Sequence, residues 1–269
     1  MAQLKIGVLG ASGRMGRMVI QATQESERCE LVGGTEPAGS PALGRDLGEL
    51  AGLGSLGLQV EDDAAALIAR ADAVIEFSVP AATAAHAALA AEAGTIHVIG
   101  TTGLGAEEEA KLRQAAERTG IVYAPNMGLG VNLLMSLVEQ VARALDPDYD
   151  IEIVEMHHKH KVDAPSGTAL GLGRAAAAGR GVDLDTVAAR ARDGQTGARR
   201  AGDIGFAVLR GGDVVGDHSV IFATEGERLE LTHKASSRAI YARGAIKAAL
   251  WARDKGPGLH TMKDVLGLD

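Results

Sequence analysis

A short apolar run, Leu4 to Leu9, leads directly into Gly10-Ala11-Ser12-Gly13-Arg14-Met15-Gly16, and a helical segment begins inside that loop. No other feature of the chain narrows its fold as much. A strand that turns into a helix through glycines lets backbone approach a ligand closely, and the free NH groups at the helix start favour an anion there. The spacing is Gly-x-x-Gly-x-x-Gly, with Ala11 where the strict Gly-x-Gly-x-x-Gly pattern carries a glycine, so the loop by itself reads equally as a structural turn. Context changes that reading. Glu36, 20 residues after Gly16, ends the next apolar run, where a carboxylate can accept hydrogen bonds from ribose hydroxyls. Strand, loop, helix and acid in this order predict a dinucleotide site.

The alternation of short apolar runs with helical segments continues through the first half, as a parallel sheet with crossover helices requires. Strands are expected at Leu4 to Leu9, Leu31 to Thr35, Ala73 to Phe77, Ile96 to Ile99 and Ile121 to Tyr123. Helices are expected at about Met15 to Gln24, Ala81 to Ala93 and Glu107 to Thr119, the second opened by Pro80 and closed by Gly94. After Asn126 the pattern changes. A long amphipathic stretch, Val131 to Leu145, precedes a strand at Ile151 to Met156, a helix near Thr168 to Ala178, and strands near Ile204 to Arg210, Val214 to Thr224 and Arg228 to Thr232. Gly211-Gly212 reads as a hairpin turn between two of these. The fold class predicted is α/β: an N-terminal Rossmann-like, doubly wound parallel sheet plus a smaller α+β domain built on an open mixed sheet. The closing helix, Ala239 to Arg253, has no strand partner in sight and is expected to return to the first domain.

Composition removes several classes of function. Aromatics are 3% of the chain and the net charge is -8, so neither a base-stacking platform nor a basic face for nucleic acid or anionic membranes is expected. Cys29 is the only cysteine, which rules out an intrachain disulfide and a multi-thiolate zinc site and fits a cytoplasmic protein. Met1 runs straight into the first strand with no signal-peptide pattern, and the Ala-rich run from Ala81 to Ala93 is broken by His86 and Glu92 and too short to span a bilayer.

Two further stretches carry chemistry. Gly100-Thr101-Thr102-Gly103 follows a strand at its carboxyl end, the ligand edge of doubly wound sheets, where small residues and hydroxyls suit a nicotinamide ring or its ribose; a loop chosen only for its turn reads equally well. The second is Glu155-Met156-His157-His158-Lys159-His160-Lys161-Val162-Asp163-Ala164-Pro165-Ser166-Gly167-Thr168. Lys159 and Lys161 interleave with the imidazoles and would repel a cation, so no metal is expected. Imidazole and ammonium donors instead suit carboxylate binding and proton delivery, and Ser166-Gly167-Thr168 opens a helix, giving an anion site from backbone NH groups and hydroxyls. Any single residue of the stretch reads more readily as part of a solvated basic loop, and it is the succession beside the helix start that points to a site.

This stretch closely resembles the signature of the dihydrodipicolinate reductase family. The resemblance extends to Gly10 to Gly16, Glu36, Gly100 to Gly103, Ala124-Pro125-Asn126 and Thr232-His233-Lys234-Ala235-Ser236-Ser237-Arg238, nearly the whole chain. It implies a dinucleotide-binding domain over residues 1–127, with 238–269 returning to it, and a substrate-binding and tetramerising domain over 128–237, joined by hinges near Met127 and Ser237. It implies His157 as proton donor or acceptor and Lys161 as a second proton donor, with His158, Gly167 and Thr168 holding a small dicarboxylate substrate. Gly10, Ala11, Ser12, Gly13, Arg14, Met15, Glu36, Gly100, Thr101, Thr102, Ala124, Pro125, Asn126 and Met127 match its cofactor contacts. The implied reaction, in lysine and diaminopimelate synthesis, delivers hydride from a nicotinamide to a cyclic unsaturated imine formed as water leaves a 4-hydroxy substrate.

One position departs from the family. Many relatives place an arginine directly after the ribose-binding acid, where this chain has Pro37, which offers no charge and no donor to a 2′-phosphate. NADH is therefore the favoured cofactor, with NADPH second and Arg14 as a partial substitute for the missing cation. Two other readings compete. Another nicotinamide-dependent reductase of the same architecture would differ in substrate, and one of the aspartate-semialdehyde type needs a nucleophilic cysteine, for which Cys29 is badly placed. A dinucleotide-sensing regulator should carry a basic DNA-reading segment, and none is visible.

Overall fold

The computed structural model describes residues 2–268. The chain begins as β1 (Leu4–Leu9), α1 (Arg14–Gln24), β2 (Cys29–Thr35), α2 (Leu47–Ala51), β3 (Val60–Glu61), α3 (Ala64–Arg70), β4 (Ala73–Glu76), α4 (Pro80–Ala93), β5 (Ile96–Ile99), α5 (Ala106–Ala115) and β6 (Gly120–Tyr123). It continues through α6 (Leu129–Ala144), β7 (Asp150–His157), α7 (Gly167–Arg180), α8 (Leu184–Val187), β8 (Ala188–Ala189), β9 (Ile204–Arg210), β10 (Gly216–Thr224) and β11 (Glu227–Ala235). It ends with α9 (Ala239–Ala252), β12 (Gly258–His260) and α10 (Met262–Leu266). Two compact units result: one runs to Leu129 and resumes at Arg238, the other is Gly130–Ser237.

The first unit is a seven-stranded sheet in the order β12-β6-β5-β4-β1-β2-β3, every pairing parallel. Parallel strands are covered on both faces and so read as continuous apolar runs; all four residues of β4 are buried. Helix ends obey local chemistry. Pro80 opens α4 where its missing NH costs nothing, and Gly94 closes it in the left-handed conformation, φ 70°. Asp63 caps α3 by accepting from Ala66 N, and Asp46 caps α2 while also accepting from Leu56 N, Gly57 N and the Ser55 hydroxyl, which holds its carboxyl well below the ordinary range. Strand order reverses between β1 and β4, the position at which doubly wound sheets take a ligand at the carboxyl edge.

In the second unit the order is β11-β10-β7-β9-β8, a mixed sheet in which β7 runs parallel to β9 and antiparallel to β10. Alternate residues of β7 point inward, and Ile151 and Ile153 pack with Leu172 and Ala176 of α7 and with Leu134 and Val138 of α6. A Cβ on Gly179 would collide with the Glu139 carbonyl, so glycine there permits the close approach of α7 to α6.

Two expectations are corrected. Gly211-Gly212 is not a hairpin turn, because β9 and β10 lie on opposite sides of β7 and do not pair. The loop instead folds back on the end of β7, with Gly211 N donating to His157 O and Lys159 N to Gly212 O. The hairpin of this sheet joins β10 to β11 through Glu225-Gly226, with Gly226 at φ 91°. The closing segment does contain a strand: β12 pairs in parallel with β6, a three-residue element too short for hydrophobic periodicity to reveal.

Candidate active site

In the first unit the loop after β1 is shaped by its glycines. Gly10 adopts φ 76°, and a Cβ on Gly16 would collide with the Gly10 carbonyl, so the loop folds directly onto the first turn of α1. Gly13 caps α1 without any side-chain hydrogen bond, which leaves the first-turn NH groups for an anion. Glu36 follows β2, and its Oε1 accepts from Ser12 N at 2.7 Å, so the carboxylate stands at the mouth of the loop with Oε2 still able to accept. Arg17, which sequence reading passed over, donates from Nε to Ser12 O at 2.8 Å and clamps the loop from outside, whereas Arg14 is exposed. A glycine cradle, an uncapped helix start and a carboxylate acceptor after the second strand of the sheet are what a nicotinamide dinucleotide requires.

The other expected cofactor residues line the same carboxyl edge. Gly100 N donates to Glu76 O at 2.8 Å, and the Phe77 ring covers Gly100 where any side chain would collide with it. The Thr101 hydroxyl is buried, accepting from Ser78 N and from the Thr83 hydroxyl, so its role is to join loops; Thr102 is exposed. Ala124 N donates to Ile99 O, and Asn126 Oδ1 accepts from Gly128 N at 2.8 Å. The Met127 side chain is buried in the core of this unit, which leaves its backbone for any ligand contact.

In the second unit His157 is the last residue of β7 and faces inward with Glu155. Its Nδ1 lies 2.5 Å from Glu155 Oε2, and Glu155 also accepts two hydrogen bonds from Arg210, at 2.8 and 3.0 Å, and one from Ser166 N at 3.0 Å. Burial pushes the Glu155 carboxyl up, but Arg210, His157 and the Ser166 NH together outweigh it and hold it below the ordinary value. Glycine at 216 leaves room beside His157 Nε2, since a Cβ there would stand 3.0 Å from that nitrogen. Ser166 caps α7, its Oγ accepting from Ala169 N and lying 3.1 Å from His218 Nε2. Burial, and then the neighbouring His157, lower the His218 pKa to about 4, so that ring is neutral at pH 7. Lys161 Nζ lies 2.9 Å from Asp163 Oδ1, and Arg210 Nη2 donates to Asp163 O at 2.6 Å, tying the lysine's loop to the same hub. His158 N donates to Val214 O, while Gly167 and Thr168 form the first turn of α7.

The structure thus gathers His157, Lys161, Gly167 and Thr168 around Glu155, Arg210, Ser166 and His218; Ser166 was read from sequence only as part of the helix opening, and Glu155, Arg210 and His218 were assigned no role. Glu155 carries the one local signal that could have found it: an acid on the apolar phase of a strand must have a partner. Cys29 lies buried at the start of β2, the opposite edge from the glycine loop, and burial raises its thiol pKa, so it is unsuited to nucleophilic chemistry there. Among the described residues no cluster of three or more His, Cys, Asp or Glu is arranged for a metal, and no helix is long and apolar enough to cross a membrane.

Comparison with known proteins bears on both units. Residues 4–127 match the family described as dihydrodipicolinate reductase, N-terminus, and residues 130–266 the family described as dihydrodipicolinate reductase, C-terminus. The chain is 62% identical, over all of its length and 99% of the relative's, to 4-hydroxy-tetrahydrodipicolinate reductase of Parvibaculum lavamentivorans. It is 59% identical to the protein of that name from Rhodopseudomonas palustris, with 100% of this chain and 98% of the relative covered. Among solved structures it is similar to dipicolinate-bound dihydrodipicolinate reductase from Paenisporosarcina sp. TG-14, with TM-score 0.78 and 25% identity over 96% of this chain and 97% of the other.

Proposed function

The chain belongs to the dihydrodipicolinate reductase family, and from that premise we propose how its residues share the reduction of 4-hydroxy-tetrahydrodipicolinate to tetrahydrodipicolinate. It is an oxidoreductase of lysine and diaminopimelate synthesis that works with a nicotinamide dinucleotide. When bound, the reduced dinucleotide supplies a hydride to the substrate ring. Gly10, Ala11, Ser12, Gly13, Arg14 and Met15 would hold its pyrophosphate, Glu36 its adenosine ribose, and Gly100 to Thr102 with Ala124 to Met127 the nicotinamide end.

The substrate's two carboxylates are met by His158 and by the first turn of α7, where Gly167 and Thr168 present backbone NH groups. Water leaves the 4-hydroxy compound, and hydride plus one proton then add across the unsaturated bond. His157 donates that proton through Nε2, because its Nδ1 is fixed on Glu155. Once Nε2 has given up its proton the ring is neutral and the Glu155 charge is still matched by Arg210, so the hub stays balanced through the cycle. Lys161 supports the substrate's negative charge and, as the second donor, can supply that one proton in place of His157. The observation carrying this reading is that one buried carboxylate, Glu155, holds both the acid His157 and the cap Ser166 of the anion site.

NADH is the preferred cofactor in this reading. Glu36 repels a 2′-phosphate, exposed Pro37 supplies no cation, Arg17 has its Nε engaged with Ser12, and exposed Arg14 is the one partial substitute on the loop itself. The test is a coupled assay in which the condensation product of pyruvate and aspartate semialdehyde is supplied and NADH and NADPH oxidation are followed separately. Oxidation with both and a higher kcat/KM for NADH is expected; no oxidation with either overturns the reaction, and a higher kcat/KM for NADPH overturns the preference. The second unit exposes Leu209 and Leu229 on an open sheet, an arrangement that a homotetramer would cover. Light scattering should return four chains per particle, and a monomer would reject the assembly.

A further inference from the structure

The first unit buries a second carboxylate that the reaction scheme leaves idle. Glu76 ends β4 with no exposed surface, among the apolar side chains beneath α4. Its Oε1 accepts from His86 Nδ1 at 2.9 Å and from the Ser78 hydroxyl, and its Oε2 accepts from His97 Nε2 at 2.9 Å. Removing a carboxylate from water costs several kcal/mol unless donors surround it. Here three do. The arrangement also commits His97 to Glu76 alone: its buried Nδ1 has no partner among the described residues, so with Nε2 as the donor the other nitrogen is left as an unused acceptor.

What this network holds is the edge where the dinucleotide belongs. Ser78 sits in the loop leaving β4, and its backbone NH donates to the Thr101 hydroxyl at 3.0 Å; Thr101 in turn accepts from Thr83 of α4 at 2.9 Å. The Phe77 carbonyl and Ser78 Cβ are the atoms nearest to where a side chain on Gly10 would stand, at 3.9 Å, and the Phe77 ring packs on Gly100. The loops after β1, β4 and β5 therefore meet at Phe77-Ser78. We propose that Glu76 is a positioning residue for the cofactor: its carboxylate, clamped by His86 and His97, fixes Ser78, and through Ser78 and Thr101 it sets the spacing of the loops that frame the dinucleotide crevice. This rests on the reading of that edge as the cofactor site. A hydroxyl tied to a buried anion has one orientation, so the crevice is formed before the ligand arrives and binding does not have to order it.

The decisive variant is Ser78→Ala, which cuts the tie and leaves Glu76 with both histidines. Binding of NADH is measured directly by fluorescence titration, and binding of dipicolinate, as a dicarboxylate probe of the second unit, by calorimetry. Ser78→Ala should raise the Kd and KM for NADH roughly three- to tenfold, the effect of one lost hydrogen-bond tie, with kcat at saturating NADH within about twofold of wild type. Dipicolinate binding should not change, and Ser78→Thr, which restores the hydroxyl, should recover NADH affinity. Glu76→Gln, which sets an amide NH2 against a donor, should weaken NADH binding at least as much. A folded Ser78→Ala protein with wild-type NADH affinity would overturn the proposal, as would equal loss of NADH and dipicolinate binding in that variant, which marks general destabilisation. If the wild-type chain bound neither NADH nor NADPH, the reading of the edge itself would fall.

Discussion

Two buried carboxylates, Glu76 at the end of β4 in the first unit and Glu155 two residues before the end of β7 in the second, stand among imidazoles, yet they are built for opposite duties. Glu76 takes donors from His86 of α4, His97 of β5 and the hydroxyl of Ser78 in the loop after β4. Glu155 is matched by the permanent charge of Arg210, and its one imidazole, His157, keeps Nε2 beside the space left by Gly216. A carboxylate shared between two imidazoles and a hydroxyl that belong to separate elements holds a wall in place. One already neutralised by a guanidinium can orient an imidazole without needing that ring to stay charged, and so leaves its proton free to be transferred.

The sharpest way to break this contrast is to replace His157. His157→Gln should lower kcat by roughly 10²- to 10⁴-fold, the usual range for loss of a general acid, with the Kd for NADH unchanged. Near wild-type kcat at pH 7 from folded variant would remove His157 as the acid and leave the second hub a binding device only. A smaller effect is expected at the counter-charge. In Arg210→Met, Glu155 keeps His157 and the Ser166 NH but loses its fixed cation, so the ring must supply the missing charge and releases its proton less readily. We expect kcat to fall by about 10- to 100-fold, with the alkaline limb of the pH–rate profile displaced upward and NADH affinity intact. Loss of kcat with an unmoved pH profile would show that Arg210 merely supports the fold.

These hubs show which parts of the molecule local sequence can reveal. The glycine loop, Glu36 and the His-Lys stretch were legible because a backbone turn, a helix start and a run of titratable groups are encoded by neighbours. Arg210 lies 55 residues from Glu155 and carries no local mark; it arrives because β9 pairs in parallel with β7 and sets Arg210 opposite His157. His218 reaches Ser166 by the antiparallel register of β10, in which it stands opposite Glu155. The hairpin expected at Gly211-Gly212 failed for the same reason, since consecutive strands that flank a third look like a hairpin until the pairing is known. Glu76 lay inside the strand expected at Ala73 to Phe77 and was assigned no role, because its partners His86 and His97 come from a helix and a neighbouring strand.

The smallest expected effect concerns acid, and it separates the two hubs by the pH at which each gives way. His218, 4% exposed, faces His157, Glu155, His233 and Lys161, and burial lowers its pKa from 6.5 to about 4. The unfolded chain therefore takes up this proton first. The stability contributed by keeping the ring neutral is present above pH 6.5, declines as pH falls below it, and is lost once pH has passed 4. The first unit behaves otherwise. Burial acts to raise Glu76, but His86 and His97 overcome it and lower its pKa from 4.5 to about 2, so its contribution persists above pH 4.5 and is lost only as pH falls through 2. Between pH 7 and pH 5 the second unit should then weaken by at most about 2 kcal/mol through His218, while the Glu76 network is unaffected. Amide hydrogen exchange at the two pH values, compared at equal intrinsic rate, reads this directly: protection in β7 and β10 should fall while that in β4 and β5 holds. His218→Asn, which cannot titrate, should remove most of the difference. Equal loss of protection in both sheets, or no change in the variant's response, would show that the acid sensitivity lies outside these two hubs.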